Sequence, residues 1–209
     1  MSKVLYIKAS PMGKLSHSIA VADAFVEAYQ TKHRDDKIET LELFKAKIPA
    51  FDFTAASGKY NIMHGKEHSA KEKEAWGKVV AVIEQFKSAD KYVLAVPMWN
   101  FSIPYRLKQY IDIIVQPGLT FSVDSSGNYK GLVTGKPVVV VYARGGQYPA
   151  GTAYEQYDLQ KKYLELILGF IGFTDIRTVV VEPMLAAEQT ATAKQADAIE
   201  QAKRLAGEF

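Results

Sequence analysis

The chain has 209 residues, enough for one domain with a substantial core, and its 48 % hydrophobic and 23 % charged residues match a soluble globular protein. No apolar stretch approaches the roughly 20 residues that span a bilayer, and the strongest, Leu166 to Phe173, reads as a buried helix end. A net charge of +3 with lysines interleaved among Glu and Asp offers no basic stripe for nucleic acid, and the absence of cysteine excludes disulfides, thiolate metal sites and Cys nucleophiles. The N-terminus runs straight into a strand pattern with no signal peptide, which together with the missing cysteines points to the cytoplasm.

In chain order, Lys3 to Lys8 predicts a strand and His17 to His33 an amphipathic helix with Ile19, Ala22, Phe25, Val26 and Tyr29 on one face. Ile38 to Leu43 predicts a second strand. Residues 44 to 65, with Pro49 and Gly58, read as a long excursion before a helical period returns over Lys71 to Lys87. Tyr92 to Val96 is a third strand that stops at Pro97, and Pro104 suits the first turn of a helix running to Val115, because a first turn needs no N–H there. Residues 118 to 133 predict a short hairpin turning at Asp124-Ser125-Ser126-Gly127-Asn128. Val138 to Tyr142 is a continuous β-branched run, as in a strand buried on both faces. Helix over Asp158 to Ile171, strand over Asp175 to Val181 and helix over Thr190 to Gly207 complete the chain. Five strands alternating with helices predict an α/β fold, a doubly wound parallel sheet of flavodoxin-like order 2-1-3-4-5 with helices on both faces and a small hairpin excursion, formed by residues 1–209 as a single domain.

Ligands in such sheets sit beyond the carboxyl ends of the strands. Three unusual loops fall there. After the first strand, Ser10, Ser16 and Ser18 stand beside the free N–H groups of a helix start, a place suited to a phosphate. After the third, Pro97-Met98-Trp99-Asn100-Phe101 puts aromatic side chains where an exposed loop should avoid them, unless they line a pocket for a flat ligand. After the fourth, Ala143-Arg144-Gly145-Gly146-Gln147-Tyr148 has paired glycines that let backbone approach a ligand closely. Each loop alone also fits a plain role, as a serine cap, a packed aromatic pair or an ordinary turn. Neither a dinucleotide glycine fingerprint nor a P-loop is present, since Gly13 stands alone and Gly135-Lys136 runs into Pro137. A phosphate cradle, an aromatic wall and an amide ledge at one sheet edge together describe a flavin mononucleotide (FMN) site.

Ser10 with Ser16-His17-Ser18, Pro97 to Phe101 with Ile103-Pro104 and Leu107-Lys108, and Arg144-Gly145-Gly146 followed by Tyr148 resemble the FMN-dependent NADH:quinone oxidoreductases, also called azoreductases, over nearly the whole chain. The resemblance implies a homodimer with FMN near the subunit interface. It implies that Ser10 and the Ser16, His17, Ser18 turn take the phosphate, and that Met98, Trp99, Asn100, Phe101, Ala143, Arg144, Gly145 and Gly146 hold the isoalloxazine. Met12 departs from an arginine common in the family at that point, with Lys14 the expected substitute counter-charge and a weaker, more salt-dependent FMN affinity the expected consequence.

The expected activity is a ping-pong cycle in which NADH, or NADPH, reduces the flavin and a quinone or azo compound then takes two electrons at the same place. The amides of Gly145 and Gly146, helped by Arg144, are expected to stabilise charge near N1 and the C2 carbonyl. No side chain is expected to act as acid or base. Phe121 and Tyr148 are expected walls of the substrate cavity, and His33, His64 and His68 lack metal-ligand spacing. The alternative readings are a flavodoxin-type electron carrier and a colourless scaffold of the same fold.

Overall fold

A computed structural model describes residues 1–209. Its centre is a parallel sheet of β1 (Lys3–Lys8), β2 (Lys37–Glu42), β3 (Lys91–Pro97), β6 (Val138–Ala143) and β7 (Ile176–Val181), in the order β2-β1-β3-β6-β7. The predicted order 2-1-3-4-5 is therefore the observed one. Between β3 and β6 lies the expected hairpin, β4 (Phe121–Val123) antiparallel to β5 (Tyr129–Gly131).

Alternation along the central strands feeds two separate cores. Val4 and Tyr6 of β1, Val93 and Ala95 of β3, and Val139 and Val141 of β6 face α1 (His17–Lys32) and α6 (Glu188–Ala206), which bury Phe25, Ala202 and their neighbours. Leu5 and Ile7, Leu94 and Val96, and Val140 and Tyr142 face α3 (Ala70–Lys87), α4 (Tyr105–Ile114) and α5 (Leu159–Ile171). Every residue of β6 is buried, as its unbroken β-branched run predicts.

One element differs from expectation. The segment read as an excursion contains helix α2 (Phe53–Met63), started by Asp52, whose carboxylate accepts the Ala55 N–H at 3.0 Å. Its apolar residues are spread around the helix without forming one face, which hides it from periodicity. Tertiary contact holds it instead, since Ser57 and Asn61 both donate to Glu72 of α3 and Gly58 lies against the Glu72 backbone, where a Cβ would come within 2.8 Å of the carbonyl oxygen. Pro104 sits just outside α4 as its cap, one position before the expected first turn. Leu166, expected buried, is exposed on the outer face of α5. No helix is long and apolar enough to cross a membrane.

Candidate functional site

Ser16 caps α1, whose first turn leaves N–H groups without intrahelical acceptors. The Ser16 hydroxyl lies 3.1 Å from that of Ser18, and its bond from the Ile19 N–H is long at 3.5 Å. The N–H groups of His17 and Ser18 have no protein acceptor, so they point donors and the positive end of the helix at the sheet edge. Ser10 accepts the Met12 N–H at 3.3 Å. His17 Nδ1 sits 2.6 Å from Gln195 Oε1, anchoring the ring to α6.

Beyond β3 the chain folds back within four residues: Trp99 and Ser102 exchange both backbone bonds at 2.9 Å. The two central residues are left-handed, Asn100 at φ 47° and Phe101 at φ 67°. Asn tolerates that region, whereas an aromatic residue there is strained, and such strain concentrates at functional sites. The turn holds Trp99 against Phe44 and Tyr105 and leaves Phe101 45 % exposed, stacked on Tyr157 at 4.9 Å between ring centres. The N–H groups of Asn100 and Phe101 bond to no protein group.

Beyond β6, the Arg144 N–H donates to Val181 and its carbonyl accepts from Met184, while the N–H groups of Gly145 and Gly146 remain free. The Arg144 side chain corrects an expectation. It is buried, with Nη2 2.8 Å from Asp158, Nε 3.0 Å from Gln160 and Nη1 3.4 Å from Glu182, so its guanidinium is already neutralised and not aimed at a ligand. Tyr142, behind it, is held protonated far above the ordinary phenol range by burial.

A groove of about 280 Å³ lies among these loops. Ser10, Ser16, His17, Met98, Trp99, Ala143, Arg144 and Gly145 all border it. Ser18 stands behind Ser16, buried. Phe101, Gly146 and Tyr148 line a second cleft of about 530 Å³, which begins one residue beyond Gly145 of the groove. Asn100 faces a third cleft, the largest at about 930 Å³, which Trp99 separates from the groove and which holds none of the serines of the β1 loop. There Lys59, packed over Phe51, has its amine pushed to lower pKa by burial. Two expected participants lie elsewhere. Lys14 is exposed in the Gly13–Leu15 turn and does not border the groove, and Phe121 packs on Phe170 and Tyr129 at the hairpin.

Met184 and Leu185, which the sequence reading missed, complete the groove from a fourth loop, after β7. Their signal was the one that exposed the β3 loop: a proline ending a strand, here Pro183, followed by apolar residues in an open loop, with Leu185 89 % exposed.

These residues fit a flavin nucleotide. The groove offers neutral hydroxyls and unpaired N–H donors for a phosphate at one end, an apolar wall of Pro97, Met98 and Trp99, and unpaired glycine amides for a polar ring edge at the other. No cluster of His, Asp or Glu suited to a metal ion is present.

Comparison with known proteins agrees. The family model described as flavodoxin-like fold matches residues 2–205. The FMN-dependent NADH:quinone oxidoreductase of Nitratidesulfovibrio vulgaris is 59 % identical over 100 % of both chains. The crystal structure of azoreductase from Bacillus anthracis superposes with a TM-score of 0.92 at 30 % identity, covering 100 % of each chain. That of an FMN-dependent NADH-azoreductase from Bacillus anthracis in complex with FMN gives 0.87 at 30 %, covering 99 % of this chain and 100 % of the other. The chain belongs to the flavodoxin-like fold family and, within it, to the FMN-dependent NADH:quinone oxidoreductases.

Proposed function

We propose that the protein binds one FMN per subunit in the groove and uses it to carry two electrons from NADH to quinones and aromatic azo compounds. The observation that carries this reading is the meeting, in one groove at one sheet edge, of the Ser10 and Ser16 hydroxyls with the unpaired amide of Gly145 across the Met98–Trp99 wall. Bound FMN supplies the redox chemistry, accepting an electron pair from the nicotinamide and releasing it to the acceptor.

The chain's own residues hold, orient and polarise. Ser10, Ser16 and the His17 and Ser18 N–H groups take the phosphate, with the α1 dipole in place of the missing arginine. Met98, Trp99, Ala143, Arg144 and Gly145 would hold the ring system from the groove, with the unpaired N–H groups of Asn100 and Phe101 at the adjoining turn, and the free Gly145 and Gly146 N–H groups are donors suited to negative charge on a bound flavin. The guanidinium of Arg144 takes no part in that neutralisation, being bound to Asp158 and Glu182. Donor and acceptor in turn occupy the cleft of Phe101, Gly146, Tyr148, Tyr154 and Tyr157, whose rings suit flat molecules. NADH is the donor in this reading, with NADPH as a second.

Residues 1–209 act as one FMN-binding unit in a cytoplasmic homodimer. Two surfaces support the dimer: the cleft from Phe51 to Ile167, where the buried Gln116 Oε1 has no donor, and the aromatic face of Phe121, Tyr129 and Phe170, which stands outside its own subunit's groove. In the dimer Phe121 serves the substrate cavity from across the interface. An electron carrier that docks on proteins has no use for an aromatic cleft beside its flavin.

Initial rates of NADH oxidation at several quinone concentrations test the cycle. Parallel double-reciprocal lines without any protein partner are expected. Intersecting lines overturn the ping-pong order, and a rate that requires a partner protein favours the carrier.

A further inference from the structure

Three consecutive residues at the start of α5 touch the flavin-facing loops without bordering the groove. Asp158, which caps α5 by accepting the Lys161 N–H at 3.0 Å, takes Arg144 Nη2 at 2.8 Å. The Leu159 N–H donates at 3.1 Å to the carbonyl of Phe101, the left-handed residue of the β3 loop. Gln160, wholly buried, joins the end of β3 to the β6 loop: its amide donates to the Val96 carbonyl at 3.0 Å and its oxygen accepts Arg144 Nε at 3.0 Å. Arg144 in turn ties in the β7 loop, through Met184 N to its carbonyl at 2.9 Å and its contact with Glu182.

A buried ion pair contributes little net stability over a well-packed apolar replacement, because desolvating the charges offsets their attraction. Its bonds are directional, however, and a fork of guanidinium donors fixes both distance and angle. The β3–β6 ladder, ending with the Met98 N–H on the Ala143 carbonyl at 2.8 Å, fixes the two loops only at their bases; the network ties them further out, at Phe101 and the Arg144 side chain, where packing alone would leave their spacing soft. We propose that Asp158, Leu159 and Gln160 with Arg144 form a clamp of positioning residues that sets the separation of the β3 and β6 loops, and with it the fit of the groove around the ring system of the flavin and not around its phosphate. The proposal rests on the flavin reading above.

Riboflavin, which has the ring system without the phosphate, separates the two ends. Gln160→Met removes both bonds while leaving charge and approximate volume unchanged. It is expected to weaken FMN and riboflavin binding by the same factor, about tenfold for one lost buried hydrogen-bonding group. Leu168→Val, further along the same buried helix face, is expected to lower Tm while leaving both affinities within about twofold of the parent. Gln160→Glu, which keeps the acceptor for Arg144 Nε, should recover part of the lost affinity. In the flavin-free protein, Gln160→Met should speed amide hydrogen exchange at Leu159, Arg144 and Met184, whose N–H groups are bonded within the clamp and its loops, relative to Leu168→Val.

The clamp is overturned if Gln160→Met lowers Tm but binds both flavins normally, or if it weakens FMN alone. A parent protein that binds neither flavin overturns the flavin reading instead, and the exchange rates at the three amides then decide the clamp. Should Gln160→Met fail to fold, Asp158→Asn, whose amide oxygen preserves the helix cap, carries the same titrations.

Discussion

Phe101 is the residue whose local preference conflicts most with its placement. Left-handed backbone disfavours a bulky side chain by about 1–2 kcal/mol, and glycine removes that cost while adding entropy to the unfolded chain. Phe101→Gly should therefore leave the Tm of flavin-free protein nearly unchanged, although it deletes the stack on Tyr157. Flavin affinity should fall about tenfold, and a large Tm loss would show that the ring serves packing first. At the phosphate end, Ser16→Ala with Ser18→Ala should weaken FMN about ten- to a hundredfold and leave riboflavin alone, read by fluorescence titration. The serines, the aromatic run and the glycine pair were legible in sequence because each is a residue type out of place in an ordinary loop. The destination of the Arg144 side chain was not, since its partners Asp158 and Glu182 come from distant elements and look like ordinary surface carboxylates. Lys14 misled for the complementary reason: sequence proximity to a phosphate loop says nothing of the direction in which a turn points its side chain.

At the scale of elements, strands were easier to read than the helix that packs by polar contacts. Burial on both faces makes β6 an unbroken apolar run, whereas α2 owes its position to Glu72 and the glycine contact, which exist only once α3 is in place. The hairpin follows the same logic. Its turn chemistry was readable, and Asp124 indeed accepts the Ser126 and Asn128 N–H groups. Its docking was not readable: Gly131 presses on the backbone of Gly172, where an added Cβ would overlap the nitrogen. Backbone cannot yield as a side chain can, so Gly131→Ala should cost about 1–3 kcal/mol and release the hairpin from α5. A urea unfolding curve checks the cost, and unaltered stability would place the hairpin outside the cooperative unit.

For the molecule as a whole, pH dependence follows from carboxylates held by hydrogen bonds and ion pairs in the fold. Asp36 is held below the ordinary range by the Ser2 N–H and the Tyr29 hydroxyl, Glu39 by Lys3 and Gln85, and Asp175 by Arg177. Groups whose folded pKa is depressed contribute stability that is present above the unfolded values, about 3.9 for Asp and 4.3 for Glu, and lost as pH falls through the lower folded ones. Tm should accordingly stay level down to about pH 5 and decline below about pH 4; constancy to lower pH would mean these contacts persist in the unfolded chain. Flavin links the same stability to the site, since FMN at about 100 times its Kd should add about 2.7 kcal/mol. The central claim is that the groove between the β1, β3 and β6 loops is a redox site served by small molecules. Its most direct test is the visible spectrum of the FMN-loaded protein kept without oxygen. One equivalent of NADH should bleach the flavin band and one equivalent of a simple benzoquinone should restore it with no other protein present, whereas a band that persists after NADH is added would contradict the account.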